Sequence, residues 1–304
     1  MLFTMGQQNT SATPTGLALY TRAAEAASSQ VITAYSTSFG WATRLLGHSV
    51  RQSVKNIYAL VRVADEVVDG AAAEAAALGG TVNPAAALDE LEAQTYLALE
   101  AGFSTNLVVH AFALTANEVG FGRELIEPFF HSMRADLTEQ EHDQESFDRY
   151  VYGSAEVVGL MCLAAFIKFG NRNFDKAEKL QLANGARALG SAFQKVNFLR
   201  DLAADFDALG RSYFPGVRVE NFTDAERDRL VADIQVDIDL AARELPNLPK
   251  SSRRAVAACL MLFAALNDRI ATTPASRLKT TRIRVPNGAK ILILVRAMAG
   301  VQHG

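Results

Sequence analysis

The sequence predicts an all-α protein. Apolar residues recur at three- and four-residue steps along most of the chain, strand-like alternation is nearly absent, and only 8 of the 304 residues are proline. Hydrophobic residues make up 49% of the chain, enough for a sizeable core. Residues 16–304 are expected to form a single helical domain behind a disordered N-terminus of residues 1–15.

The elements follow in order. A first helix covers Gly16 to Ser28 and runs on, with or without a break, towards Phe39. The next spans Ser49 to Asp69 and stops at Gly70, a favourable residue just past a helix end. The low-complexity run GAAAEAAALGGTVNP is expected to be a surface loop. Within it, Asn83-Pro84 predicts an N-cap with proline at the first helical position, opening a helix to Ala101. Further helices are expected over Asn106 to Gly120, Gly122 to Asp136, Ser146 to Phe169 and Lys176 to Leu209. Ala225 to Glu244, Lys250 to Ile270 and Gly288 to Ala299 complete the set. No internal repeat and no phosphate-binding glycine loop is visible.

Composition excludes several classes. A formal net charge of -3 argues against a general basic field for nucleic acid. Cys162 and Cys259 are isolated in apolar surroundings, which predicts buried reduced thiols. The N-terminus lacks the basic and apolar regions of a signal peptide. The best spanning candidate, VVGLMCLAAFIKFG, is short and carries Lys168. A cytoplasmic protein is expected, one that at most touches the inner face of the membrane from one side.

Two acidic stripes carry the chemistry. Tyr58, Arg62, Asp65 and Asp69 stand four, three and four residues apart, on one helix face. Alone, such a pair of aspartates is usually a solvated turn. Gln194, Asn197, Asp201 and Asp205 form a second stripe, on a helix whose other faces are strongly apolar. Asn197 to Asp205 spans about 12 Å at 1.5 Å per residue. Traced backwards, the stripe reaches the small Gly190 and Ala186, which suits a ligand with a charged head and an apolar tail.

Ionised carboxylates on a buried helix need pairing or a metal. Oxygen-only donors point to a hard cation, Mg2+ or Mn2+, usually shared with substrate phosphates. Arg62, Arg200 and Arg211 accompany the stripes, and guanidinium matches phosphate oxygens in a bidentate fork. Together these describe a diphosphate clamp.

The motifs YSTSF (35–39), YALVRVADEVVD (58–69), YVYGSAEVVGLM (150–161), QKVNFLRDLAAD (194–205) and GRSYFP (210–215) then identify a resemblance. The chain resembles the squalene and phytoene synthase family of trans-isoprenoid diphosphate synthases, from about Tyr35 to Arg296. The resemblance implies an isoprenoid synthase fold with helices around a central apolar cavity. It implies Mg2+-dependent head-to-head joining of two prenyl diphosphates through a cyclopropylcarbinyl diphosphate. Asp65, Asp69, Asn197, Asp201 and Asp205 would hold the metal. Ser36, Arg62, Arg200 and Tyr213, with Arg282 more loosely aligned, would hold diphosphate oxygens. Tyr58, Phe39, Tyr152 and Gln194 would line the path of the cation.

Geranylgeranyl diphosphate, giving phytoene for carotenoid synthesis, is the favoured substrate, and no NADPH is then expected. The alternatives are squalene, dehydrosqualene or hydroxysqualene formation from farnesyl diphosphate, or a non-catalytic helical partner subunit. Peripheral membrane contact for product release is a further expectation.

Three positions depart from the family pattern: Glu66 in the first motif, Glu156 where a small residue is usual, and Phe263 where tyrosine is common. Glu66 is expected to matter little, and Glu156 either to sit on the surface or to alter the pocket. Glu139 and His142 form an E-x-x-H pair inside a charge run, expected to be a solvated loop rather than half of a di-iron site. His48, His110, His131 and His303 are expected at surface or boundary positions.

Overall fold

The computed structural model describes residues 16–170, 172–209 and 213–300, without the side chains of 37–39 and 203–209. The expected N-terminal disorder lies outside those residues, as do the side chains of Phe39 and Asp205. Among the described residues all regular structure is helical.

The chain begins with α1 (Leu17–Tyr35) and α2 (Thr37–Thr43), separated at Ser36, whose φ of -144° and ψ of 106° are extended. Of the two forms expected for the run to Phe39, the one with a break is found, at Ser36. In α3 (His48–Asp69), Val50, Val54, Ile57, Leu60, Ala64 and Val68 are buried at helical spacing. α4 (Ala71–Ala77) occupies the segment expected to be a loop. Its alanines are the strongest helix formers, and Glu66 of α3 accepts from the Ala71 amide at its start.

Caps fix the following elements. Asn83 accepts from the Ala86 amide to open α5 (Pro84–Ala101), which ends at left-handed Gly102. Asn106 caps α6 (Leu107–Val119) and Asp143 caps α8 (Gln144–Val151), each cap worth about 1 kcal/mol. Between those two helices lies α7 (Arg123–Thr138).

A single helix was expected over residues 146–169. Instead α8 passes through a π-helical turn, Tyr152–Glu156, into α9 (Val157–Lys168). This run is long and apolar enough to cross a membrane by length and composition, yet half of its most apolar window is buried. It packs against α3, α7 and α10 (Lys176–Leu209), as a core helix does.

α10 is the spine, 34 residues long, or about 51 Å at 1.5 Å per residue. It packs against α9, α11 (Asp224–Glu244) and α12 (Lys250–Ala271). A capping box of Thr223 and Glu226 starts α11. The short α13 (Ala275–Leu278) and the terminal α14 (Asn287–Met298) follow.

Two cores result. One gathers side chains of α10, α11 and α12, including Leu182, Val196, Ile234, Leu260 and Ile270. The other gathers α3, α5, α6 and α7 around Leu60, Leu88, Phe112 and Phe129. His110 belongs to this second region, fully buried 3.1 Å from Thr21 Oγ1, not at the surface as expected.

Close helix approaches hold the frame together. A Cβ on Gly190 would stand 2.5 Å from the Ala155 carbonyl oxygen, and one on Gly153 would stand 2.2 Å from that of Pro128. The π turn is thereby pressed between α7 and α10.

Candidate active site

Two facing helices supply the charged groups. α3 presents Tyr58, Arg62, Asp65 and Asp69 to a polar cavity of about 370 Å³, and α10 presents Gln194, Asn197, Arg200 and Asp201 to the same space. Asp136 of α7, Tyr150 of α8, Tyr213 and Arg282 complete its polar lining. The stripes that the sequence sets 132 residues apart (Asp65 and Asn197) thus share one chamber.

This chamber continues into an apolar cavity of about 280 Å³, with Tyr58, Val61, Ser154, Gln194 and Asn197 lining both. The apolar part runs past Gly190, Ala186 and Leu182 to Leu245 and Leu248. A polar head space thus leads into an apolar tail space along one face of α10.

The carboxylates stand among guanidinium groups. Arg62 Nη1 lies 2.7 Å from Asp65 Oδ2. Arg62 also pairs with Glu66 and stands 4.5 Å from the Tyr35 ring centroid. Glu66, expected to matter little, therefore competes for the same arginine that Asp65 uses. Asp201 takes two arginines: Arg200 Nε donates at 3.0 Å and Arg282 Nε stands at 2.7 Å from Oδ1. These contacts place both Arg200 and Arg282 at the rim of the chamber.

Other expected residues fall at different distances from the centre. Ser36 hydrogen-bonds Tyr58, whose hydroxyl is pushed up by burial, with Arg62 and Ser36 opposing the shift. From the π turn, Ser154 faces both cavities. Tyr152 packs against the α3 and α7 core, with the Arg187 guanidinium 5.4 Å from its ring centroid. Glu156 is bound to Arg187 Nε at 2.6 Å, on the outer side of the helix pair. Phe263 stacks on Phe193 with centroids 3.7 Å apart.

Sequence reasoning missed three polar residues of the chamber, Asp136, Tyr150 and Ser154. The Tyr150 hydroxyl donates to Asp136 Oδ1 at 2.7 Å, and Tyr213 reaches the same oxygen at 3.5 Å. Burial first, and then the Asp136 carboxylate, hold Tyr150 well above the usual tyrosine range. At neutral pH it is therefore a protonated donor. Tyr213 is stacked on Phe198 at 3.9 Å. His142 is also buried, 5.1 Å from the Tyr150 ring and 6.1 Å from that of Tyr213, while Glu139 to Glu141 and Asp143 to Glu145 are exposed as a solvated loop would be. The signal was available: Phe129, Met133 and Asp136 continue one buried stripe of α7, and a carboxylate on such a stripe requires a partner.

Asp65, Asp69, Asn197 and Asp201 offer only oxygen, the donor set of a hard divalent cation. Among the described residues no group of three or more His, Cys, Asp or Glu could hold a metal unaided. Both facts fit Mg2+ carried jointly by one or two carboxylates and a substrate's phosphates.

A family model described as Squalene/phytoene synthase matches residues 32–289. Phytoene synthase 2, chloroplastic, of Solanum lycopersicum is 30% identical over 291 residues, covering 89% of this chain and 88% of the relative. The 15-cis-phytoene synthase of a Paracoccus species is 29% identical over 266 residues, covering 80% and 81%. Among solved structures, a dehydrosqualene synthase in complex with ligand matches with a TM-score of 0.74 at 20% identity, covering 93% of this chain and 98% of that one. The squalene synthase HpnC from Alicyclobacillus acidocaldarius matches with a TM-score of 0.70 at 19% identity, covering 87% and 97%.

Proposed function

The chain belongs to the squalene/phytoene synthase family of prenyltransferases, and on that premise we propose that it joins two geranylgeranyl diphosphates head to head to give phytoene. The observation that carries this reading is the continuity of the arginine- and carboxylate-lined chamber with the apolar cavity. A prenyl diphosphate has that same division.

Arg62, Arg200 and Arg282 bind diphosphate oxygens and fix the allylic carbon at the junction of the two spaces. Asp65, Asp69, Asn197 and Asp201, with Asp205 by its spacing in the sequence, would hold Mg2+, which would supply positive charge to the leaving diphosphate. Tyr58 and Gln194 stand at the junction, where an aromatic face favours passing positive charge. The apolar walls keep water from the allylic cation, so that the double bond of the second substrate captures it and, with loss of a proton, closes to a cyclopropylcarbinyl diphosphate. A second ionisation, which releases the remaining diphosphate, and rearrangement then give the C1–C1′ bond, and loss of a further proton gives phytoene. Tyr150, held protonated beside Asp136, donates a hydrogen bond within the chamber and keeps that carboxylate in place.

Phytoene synthases among the sequence relatives support the C20 substrate over farnesyl diphosphate. Mass spectrometry of products from C15 and C20 diphosphates, with and without NADPH, tests this. Phytoene from the C20 substrate without NADPH is expected. C30 products alone would overturn the chain length, and no pyrophosphate release from any prenyl diphosphate would overturn the enzymatic reading.

A further inference from the structure

The helix α14 has two apolar stripes. Ile293, Leu294 and Ala297 face inwards, towards the core around α12. Ile291, Leu292, Val295 and Met298 lie on the opposite side and are 53%, 58%, 50% and 49% exposed. Their spacing of one, three and three residues makes a continuous outward face. Large apolar residues at this density on one exposed face mark an interaction surface.

Charge narrows the partner. Residues 269–304 carry seven Lys or Arg and no Asp or Glu. Arg296 is itself exposed, within the helix and beside the outward stripe. An apolar stripe bordered by cations is the pattern of a helix lying in the plane of an anionic membrane surface. A second copy of the chain fits less well, because an isologous contact would bring two acid-free basic segments face to face.

Position supplies the second argument. A crevice between α2, α12 and α14 is lined by Trp41, Ala42, Cys259, Ile293 and Leu294, with Lys290 of α14 as its charged member. Ala42 and Cys259 also line the apolar cavity of the site. The crevice beneath α14 and the apolar cavity thus share part of one wall.

We propose that the outward face of α14 docks on an anionic lipid bilayer, above a crevice through which the hydrocarbon product leaves. The docking surface stands on exposure and charge alone; its use for release rests on the proposed function, since only an apolar product needs such an exit.

Flotation of the full chain with phosphatidylcholine vesicles, with and without phosphatidylglycerol, tests the docking. Binding to the anionic vesicles is expected, several-fold weaker without phosphatidylglycerol and reversed by salt. Leu292→Glu with Val295→Glu should reduce it by at least about tenfold while leaving the helical circular dichroism unchanged. Should that variant fail to fold, Arg296→Glu at an exposed position should still weaken binding. Undiminished binding in the variants, no flotation of the wild type, or a wild-type dimer that the double variant dissolves would each overturn the proposal. Anionic vesicles should also raise steady-state turnover of the wild type in detergent-free buffer, and not that of the double variant; an equal response would overturn the exit route. Flotation needs no substrate, so a chain that binds vesicles but releases no pyrophosphate would sink the enzymatic reading alone.

Discussion

Gly190→Ala separates positioning from stability. An added Cβ would stand 2.5 Å from the Ala155 carbonyl oxygen, 2.9 Å from its carbon and 3.0 Å from Glu156 Cα, where ordinary contact begins at 3.4 Å. α10 and the π turn must therefore part by roughly 0.9 Å to restore contact distance. Such overpacking costs about 1–3 kcal/mol, and replacing a mid-helix glycine by alanine returns about 1 kcal/mol. The net loss of about 0–2 kcal/mol should lower Tm by less than about 8 °C.

Activity should suffer more. Gln194, Asn197 and Asp201 follow Gly190 on the same face of α10 and line the chamber. A displacement near 1 Å of groups that hold a reacting substrate costs on the order of a hundredfold. Thermal unfolding and pyrophosphate release, measured on one preparation, should show the small loss of Tm beside a ten- to hundredfold loss of turnover. Wild-type turnover in this variant would refute the claim that the close approach of α10 to the π turn holds the chamber residues in place.

Other expected outcomes follow from the same geometry. Tyr150→Phe removes the donor at 2.7 Å from a buried carboxylate, so urea unfolding should show a loss of about 1–3 kcal/mol; unchanged stability would contradict the assigned bond. Arg282→Ala leaves Asp201 paired with Arg200, and the Arg282 side chain is 51% exposed. Stability should therefore stay within about 0.5 kcal/mol, while KM for the prenyl diphosphate rises; an unchanged KM would remove Arg282 from the site. Burial pushes the Cys162 and Cys259 thiols up to about 12 from 9.0. The unfolded chain then loses its thiol protons first, so stability present below pH 9 is lost as pH climbs towards 12, by up to about 1.4 kcal/mol per pH unit per thiol. Replacing both cysteines by alanine should flatten that decline in a Tm-against-pH series.

The helices were legible because their signals are local. Asn83 caps where it was expected, Asn106 caps the helix that was expected to begin with it, and α3 and α10 end at Asp69, just before Gly70, and at Leu209, as expected. Both aspartate stripes were legible for the same reason, since i, i+3 and i+4 positions share a face wherever the helix lies. The π turn was not. Its wider turn shifts the register of 152–156, so the inward position goes to Ser154, while Tyr152 lies beneath Arg187. Asp136 and His142 were hidden by their surroundings: ADLTEQEHDQESFD looks like a solvated charge run, and only the packing of α7 against α8 reveals them as buried, next to Tyr150 just beyond the run. The α4 segment was misread because alanine-rich, glycine-flanked sequence suits a linker as well as a helix.

The central claim is that the α3 and α10 stripes act as one diphosphate clamp. Its most direct test is pyrophosphate release from geranylgeranyl diphosphate as a function of Mg2+ concentration, for the wild type, Asp69→Ala, Asp201→Ala and the double variant. The clamp predicts metal-dependent release, a loss of at least about a hundredfold in either single variant, and a double variant little worse than the singles, all with unchanged helical content. Near-normal release from Asp69→Ala or Asp201→Ala would contradict it.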